Sequence, residues 1–157
     1  MPISRRLKEY LEMTGKPYQI HSHVETFTAQ GLAAVEHVPG QEVVKVVVLT
    51  GGERYFMAAL PAPRKVDLVR FAAVVKVPNV RLATELEFQN LFPGCETGGM
   101  PPFGNLYGLD VFLDQALMDD AEIVFQACTH RESIRMKMAD YLDLVRPKVA
   151  DFSTPAG

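Results

Sequence analysis

Hydrophobic residues are most concentrated in one run in the first third of the chain. Residues 43–49 hold five valines and a leucine, with a single charged residue, Lys45, among them. Pro39-Gly40 precedes this run and Gly51-Gly52 follows it. An apolar run of this length between turn-forming residues is typical of a strand buried on both faces. We therefore predict that residues 43–49 form a strand at the centre of a sheet.

The rest of the chain alternates between helical spacing and strand spacing. Capping residues and apolar periodicity predict five helices, which begin near Ile3, Thr28, Asp67 and Thr84 or carry Tyr141. Alternation predicts further strands at residues 18–21, 54–60, 80–82, 109–113, 123–125 and 133–136, and a turn of helix after Asp114. Gly51-Gly52 predicts a tight hairpin between the two longest strands, so the sheet is at least partly antiparallel.

Length and composition favour one globular domain. The 157 residues are 48% hydrophobic and 22% charged, which suits a single core. We expect that domain to span residues 1–152 and the tail, residues 153–157, to be loose. A net charge of -3 argues against a protein that coats nucleic acid through bulk electrostatics. Cys95 and Cys128 are far apart and form no CxxC pair, which indicates neither a disulfide framework nor a zinc site.

The N-terminal residues and the hydropathy pattern bear on location. Residues 1–6 lack the apolar run of a signal peptide, and no stretch approaches the roughly 20 apolar residues that a membrane span needs. We expect a soluble protein of the reducing cytoplasm, without a membrane partner. Nothing in the chain argues for an assembly larger than a monomer.

Lys45 is the first candidate for chemistry. An ammonium group inside an apolar strand loses hydration worth several kcal/mol, so it must reach water, meet an anion or line a cavity that receives a charged ligand. The run itself leaves these three alternatives open.

A glycine-rich loop is the second candidate. Residues 98–104 read Gly-Gly-Met-Pro-Pro-Phe-Gly. Adjacent glycines let backbone N–H groups approach a ligand closely, and prolines stiffen the segment, which together suit a donor surface for a carbonyl oxygen or a phosphate. A long tight turn would have the same composition.

Together, the Lys45 strand and the loop at Gly98 to Gly104 resemble the YbaK/ProX family. These proteins are free-standing relatives of the editing domain inserted in bacterial prolyl-tRNA synthetase. The likeness covers most of the chain, including the Thr28-Ala29 helix start, residues 64–68 and residues 139–142. It implies a mixed α/β fold with a mostly antiparallel central sheet or partial barrel flanked by helices. It also implies hydrolysis of the ester between a small, wrongly attached amino acid and tRNA.

The resemblance also assigns roles to residues. Lys45 corresponds to the principal functional side chain, and Gly98 and Gly99 belong to the loop that binds the aminoacyl end of tRNA, so these three are the catalytic candidates. Lys45 either anchors the terminal nucleotide, which we favour, or polarises the carbonyl. The candidates for substrate binding are Tyr18, Phe27, Thr28, Leu32, Met100, Pro101, Pro102, Phe103, Gln126 and Ser133.

Three histidines are further candidates for a site. His130 lies close to Gln126 and Ser133 in sequence, but its polar neighbours predict an exposed turn residue. His21 and His23 have strand spacing that places both on one face, yet no carboxylate or cysteine completes a metal site. We expect neither a metal nor a cofactor.

The expected function is therefore a trans-acting aminoacyl-tRNA deacylase for an alanine, serine, threonine or cysteine ester. Its partner would be the acceptor end of tRNA, with a synthetase or elongation factor as a further candidate. Two alternatives stay open: a non-catalytic module that binds a tRNA end or a nucleotide, and a hydrolase of another small acyl ester.

Overall fold

The computed structural model describes residues 4–156, so the expected helix start at Ile3 lies outside the described residues. The described residues contain five α-helices: α1 Arg5–Thr14, α2 Ala29–Glu36, α3 Leu68–Val75, α4 Glu85–Phe88 and α5 Met138–Val145. The strands are β1 Gln19–Ser22, β2 Val44–Gly51, β3 Arg54–Pro61, β4 Arg64–Val66, β5 Arg81–Leu82, β6 Asp110–Asp114, β7 Glu122–Gln126, β8 Glu132–Lys137, β9 Lys148–Ala150 and β10 Ser153–Pro155. Within this part of the chain, no helix combines the length and apolar character needed to cross a membrane.

The helices begin where the capping residues predicted. The Thr28 hydroxyl accepts from the backbone N–H of Gly31, and the Asp67 carboxylate accepts from two backbone N–H groups of α3. Thr84 and Glu87 form the predicted capping box at the start of α4. Each cap satisfies N–H groups that have no partner inside the helix. Local sequence therefore fixes the start of these helices.

The main sheet is mixed, with strand order β5-β2-β3-β6-β9. β2 and β3 form the predicted antiparallel hairpin, whereas β6 and β9 add in parallel. The middle strand is β3, so the expectation that the Lys45 strand lies at the centre is wrong. β5 pairs with β2 only at Leu49 and Thr50. The half of β2 that carries Lys45 therefore lies beyond this short pairing.

Two smaller sheets complete the described fold. β1, β8 and β7 form an antiparallel sheet, which a bridge between Val43 and Val124 joins to the start of β2. β10 pairs antiparallel with β4. The expectation of a loose tail from residue 153 is wrong for Ser153–Pro155, because Ser153 is buried and this strand continues the pairing. Gly157 lies outside the described residues.

The two faces of the main sheet have different cores. On one face, Phe56, Phe71, Phe112 and Phe152 pack edge to face, with ring centroids 5.2 to 5.9 Å apart. The larger core on the other face contains Val44 and Val48 of β2 together with residues of β7 and β8. Buried aromatic rings in this arrangement stabilise the fold beyond their area alone. The mixed α/β fold class expected from the sequence is confirmed.

Asp120, which follows the 3-10 turn Gln115–Asp119, gives a prediction about stability. Burial first, and then the negative charge of Glu42, raises the pKa of Asp120 to about 6. Its Oδ2 is buried without a hydrogen-bond partner in the described structure. An unfolded aspartate ionises near pH 3.8, so ionisation costs stability increasingly as the pH rises to about 6, and fully above it. Asp120→Asn should therefore stabilise the protein at pH 8 by about 1 kcal/mol after allowance for solvent screening.

The measurement is thermal unfolding at pH 8 and at pH 4, where the difference between Asp120→Asn and wild type should nearly vanish. Asp119→Asn is the matched control, because it removes the same charge from the exposed neighbouring position. A variant less stable than wild type at pH 8, or equally shifted at both pH values, would contradict the assignment.

Candidate functional site

A cavity of about 270 Å³ lies beside Lys45. Four segments line it: residues 27–29 at the start of α2, residues 44–46 on β2, Gly98 and Met100 of the glycine loop, and Gln126 at the end of β7. The two features that the sequence singled out therefore face each other across one space. The walls are mostly apolar, with a few polar groups, which is typical of small-molecule sites.

The Lys45 ammonium is half-buried in this wall. Burial lowers the pKa of Lys45, and no nearby carboxylate raises it again among the described residues. Its Nζ donates a hydrogen bond to the main-chain carbonyl of Arg64 on β4. A neutral acceptor compensates part of the lost hydration without cancelling the positive charge. The cavity therefore holds a cation with capacity for an anionic or strongly polar group.

Gly98 of the glycine loop brings a backbone donor to the cavity wall. The N–H of Gly98 faces only the sulfur of Met100, at 3.1 Å, and sulfur is a weak acceptor. The N–H of Gly99 donates to the Glu96 carbonyl at 2.9 Å and is occupied within the loop. Gly98 has φ +89°, a conformation that other residues rarely adopt. The Gly98 N–H is thus weakly engaged beside the cavity, and Gly99 shapes the loop.

The loop is fastened to the turn between β7 and β8. Cys128 donates its N–H to the Gly99 carbonyl and accepts from the N–H of Glu96, both at 2.8 Å. A Cβ on Gly99 would lie 3.3 Å from backbone atoms of this turn, so any larger residue would crowd it. Cys95 and Cys128 also meet sulfur to sulfur as a disulfide, with Cα atoms 4.2 Å apart. Their distance in sequence had indicated no such pairing.

The far end of the loop is anchored in the core. Tyr141 donates its hydroxyl to the Pro102 carbonyl at 2.6 Å, and full burial raises the pKa of that hydroxyl. The Phe103 ring packs against Tyr141 and Phe125, with centroids 5.4 and 5.6 Å away. Pro101, Pro102 and Phe103 are buried and do not line the cavity. Their contacts support the loop from behind.

His130 is buried, and the prediction of an exposed turn histidine is wrong. It is 6% exposed, because the β7–β8 turn folds inward between the glycine loop and the segment before α2. Its Nδ1 lies 3.1 Å from Oε1 of Gln126, and its Nε2 lies 3.0 Å from the Thr97 carbonyl. The ring thus links the Gln126 amide in the cavity wall to the loop that carries Gly98. Nothing in the residues around His130 indicates this contact.

Phe27 and Thr28 border the cavity as expected. Phe27 is 65% exposed, and its ring centroid lies 4.7 Å from that of His130. The spacing of Phe27 and Leu32 also fits a hydrophobic staple, but Leu32 is fully buried and Phe27 packs on the histidine instead. The Thr28 hydroxyl is engaged at 2.9 Å by the backbone of α2. Phe27 therefore forms an apolar rim that is open to solvent.

Three other predicted site residues lie elsewhere. Tyr18 packs against the main core, and Leu32 belongs to a separate cluster beneath α2. Ser133 is fully buried and donates its hydroxyl to Glu36 of α2. Ser133 is directly opposite Gln126 in the β7–β8 pairing, so it lies one strand away from the cavity wall. None of the three lines the cavity.

The histidine pair does not gather further ligands. His23 uses Nδ1 to contact the Val24 carbonyl at 2.7 Å, and His21 is exposed on β1. Over residues 4–156, histidine, cysteine and carboxylate side chains form no group of three or more that could hold a metal ion.

Comparison with known proteins gives a consistent set of relatives. The model of the aminoacyl-tRNA editing domain matches residues 23–144. The multifunctional Ser/Thr-tRNA deacylase ProXp-y of Escherichia coli (strain K12) is 26% identical over 157 residues, covering 97% of this chain and 93% of that protein.

Solved structures agree with the sequence relatives. The crystal structure of a putative trans-editing enzyme for prolyl tRNA synthetase superposes with a TM-score of 0.85 and 27% identity over 98% of each chain. A hypothetical protein of 19% identity superposes with a TM-score of 0.86, covering 96% of this chain and all of the other, and supports the fold alone.

The unpaired charge of Lys45 gives a prediction that needs no ligand. Burial lowers the pKa of Lys45, so the charged ammonium destabilises the folded state relative to the unfolded chain. Lys45→Met should therefore be at least as stable as wild type, with a gain of up to about 1 kcal/mol. Thermal unfolding at pH 7 measures this, with Lys65→Met on the exposed side of β4 as the matched control. A clear loss of stability in Lys45→Met alone would show that its charge is compensated.

Proposed function

The chain belongs to the aminoacyl-tRNA editing domain family, and we propose that its Lys45 cavity hydrolyses the ester of a small amino acid on tRNA. The resemblance expected from the sequence is confirmed, as is the enzyme class, an aminoacyl-tRNA hydrolase. The reaction adds water to the ester and releases a free amino acid and a tRNA with a free terminal hydroxyl.

One observation supports this site above all others. A half-buried ammonium without an acid partner in the described structure lines the same cavity as a backbone N–H that has only a sulfur as its acceptor. A neutral apolar ligand would leave the ammonium with one neutral carbonyl and the N–H with a weak acceptor, so neither would gain a strong partner. The end of an aminoacyl-tRNA brings a carbonyl oxygen, ribose oxygens and a phosphate, which are acceptors for both.

Each residue of the site has a separate role in the proposed reaction. In this proposal the Gly98 N–H donates to the carbonyl oxygen, where negative charge develops as water attacks. Lys45 holds a ribose or phosphate oxygen as a compact charge, and thereby fixes the carbonyl relative to the loop. The attacking group is water, and the Thr28 hydroxyl serves as the helix cap of α2. The Gln126 amide, held by His130, is placed to orient that water or the substrate amino group.

The cavity favours a small amino acid. Its volume of about 270 Å³ lies below the usual range for drug-sized ligands, and the wall is stiffened by the buried loop end. A pocket excludes a side chain that is too large by steric overlap. It discriminates less well against one that is too small, because a missing methylene is worth only about 1–3 kcal/mol. Serine and threonine are the first candidates, since the Gln126 amide can bond a side-chain hydroxyl and the curated relative is named for these two. Alanine and cysteine are the comparators.

Organisation and partners follow from this function. We propose that a single editing domain continues through β10, because Ser153–Pro155 pairs with Arg64–Val66. The substrate is the acceptor end of tRNA, and we propose that the protein acts in the cytoplasm beside the translation machinery. A synthetase or an elongation factor that delivers the charged tRNA is a further candidate partner.

The test is deacylation of a panel of tRNAs charged with serine, threonine, alanine or cysteine. We expect wild-type protein to hydrolyse at least one of these esters well above the spontaneous rate. Lys45→Ala should lower kcat/KM by more than tenfold, because one lost charge-assisted contact of about 1.4 kcal/mol gives that factor. Lys45→Ala should mainly raise KM if Lys45 anchors the nucleotide, and mainly lower kcat if Lys45 polarises the carbonyl.

Lys65→Ala is the matched control, because it removes the same charge from an exposed position on β4 and should deacylate like wild type. Absence of turnover on every charged tRNA would refute the proposal. Binding of charged tRNA without turnover would instead support a binding module. Equal activity on free aminoacyl esters, with no preference for tRNA, would support a general esterase.

A further inference from the structure

We propose that Arg64, Ser153 and Asp114 form a positioning network that fixes the acceptor of the Lys45 ammonium, so that the C-terminal strand β10 is part of the active site. The inference rests on the proposed function of the Lys45 cavity. The family model ends at residue 144, so β10 lies outside the segment that this model matches. None of these three side chains lines the cavity.

The network begins at a buried carboxylate. Asp114, at the end of β6, is 1% exposed. Its Oδ1 accepts from the backbone N–H of Phe152 at 3.0 Å, and its Oδ2 accepts from the N–H of Ala116 and the hydroxyl of Ser153, at 3.1 and 2.7 Å. A buried carboxylate is tolerated when its oxygens are bonded in this way. Asp114 thereby fixes the start of β10 against the main sheet.

Ser153 connects Asp114 to Arg64 through hydrogen bonds. Its hydroxyl, which donates to Asp114, accepts from Nε of Arg64 at 2.6 Å. Its carbonyl accepts from Nη2 of Arg64 at 3.0 Å. The guanidinium is therefore held at two points, and the hydroxyl lies between its positive charge and the negative charge of Asp114. Charge-assisted hydrogen bonds of this kind are stronger than neutral ones.

The pairing register directs the Arg64 carbonyl toward Lys45. Ala156 donates its N–H to the Pro63 carbonyl, and Asp67 donates its N–H to the Phe152 carbonyl. Hydrogen-bonded and non-bonded pairs alternate along an antiparallel ladder, so Arg64, which is opposite Pro155, occupies a non-bonded pair. Its carbonyl points away from β10, where it accepts from Lys45 Nζ. A proline is tolerated at position 155, because a residue in a non-bonded pair donates no N–H to the partner strand.

This geometry gives the network a function beyond stability. The lysine side chain is a flexible four-carbon stem, and its ammonium has several rotamers unless a neighbour selects one. The Arg64 carbonyl selects the rotamer that lies in the cavity wall. Arg64, Ser153 and Asp114 act on the reaction only through Lys45, and are positioning residues.

Double-mutant analysis with matched controls tests the proposal. Arg64→Ala and Ser153→Ala are each compared with a control that removes the same group nearby. Arg70→Ala removes an equal charge from a side chain that also contacts the Ser153 carbonyl, at 3.3 Å, but its carbonyl does not bind Lys45. Thr154→Ala removes a hydroxyl from the next position of β10. Single-turnover rates with excess enzyme extend the measurement to weakly active variants, and melting temperatures are recorded for all.

Arg64→Ala keeps the carbonyl but removes the guanidinium contacts that hold it in place. We therefore expect kcat/KM to fall up to about tenfold relative to Arg70→Ala, the factor for complete loss of one charge-assisted contact made by Lys45. Ser153→Ala should lower it severalfold relative to Thr154→Ala. In a Lys45→Ala background, Arg64→Ala should change the rate less than about twofold, because its effect passes through Lys45. If Arg64→Ala acted only by destabilising the fold, it would lower the rate in the Lys45→Ala background as well.

The outcomes separate this inference from the proposed function. Equal losses in Arg64→Ala and Arg70→Ala, or an undiminished Arg64→Ala effect without Lys45, would overturn the network and leave the deacylase intact. Inactive wild-type protein on every charged tRNA would overturn the function and the inference together.

Discussion

Burial of the Lys45 ammonium in the cavity wall is the constraint on which the site depends. The β2–β3 hairpin places this lysine among valines, where burial lowers its pKa and no acid of the described residues offsets the effect. A carboxylate partner would stabilise the fold but would neutralise the charge that a substrate needs. A carbonyl acceptor leaves the charge available. The fold thus retains a cation in the wall and accepts its cost in stability, as functional sites often do.

The remaining elements of the site restrict the motion of the glycine loop. The glycine loop is bonded to the β7–β8 turn through Cys128, to the core through Tyr141, and to the cavity wall through His130. Each contact restricts a segment whose glycines would otherwise be mobile. Preorganised donors of this kind need no rearrangement when charge develops on a substrate oxygen. The loop and the lysine together define a small, rigid space.

Much of this could be predicted from the sequence, because the signals were local. Capping residues such as Thr28 and Asp67 fix helix starts through bonds within four residues, and the glycine pair at residues 51–52 fixes the hairpin. The resemblance located Lys45 and Gly98, which the structure then placed across one cavity.

The errors came from long-range contacts. His130 reads as a surface residue beside Thr129 and Arg131, and only the inward fold of its turn buries it. Ser153 reads as part of a loose tail, although its partners lie 39 and 89 residues away along the chain. The parallel strands β6 and β9, and with them the mixed sheet, depend on pairings between distant segments in the same way. No periodicity in the sequence encodes such contacts.

The most direct test of the central claim is a crystal structure with a non-hydrolysable amide analogue of 3′-seryl-adenosine. We expect the seryl group to occupy the cavity between β2 and the glycine loop. A ligand oxygen should lie within hydrogen-bond distance of Lys45 Nζ, and the amide carbonyl oxygen should lie at the Gly98 N–H. An analogue bound elsewhere, or bound in the cavity with Lys45 turned away to solvent, would contradict the proposed roles of Lys45 and Gly98.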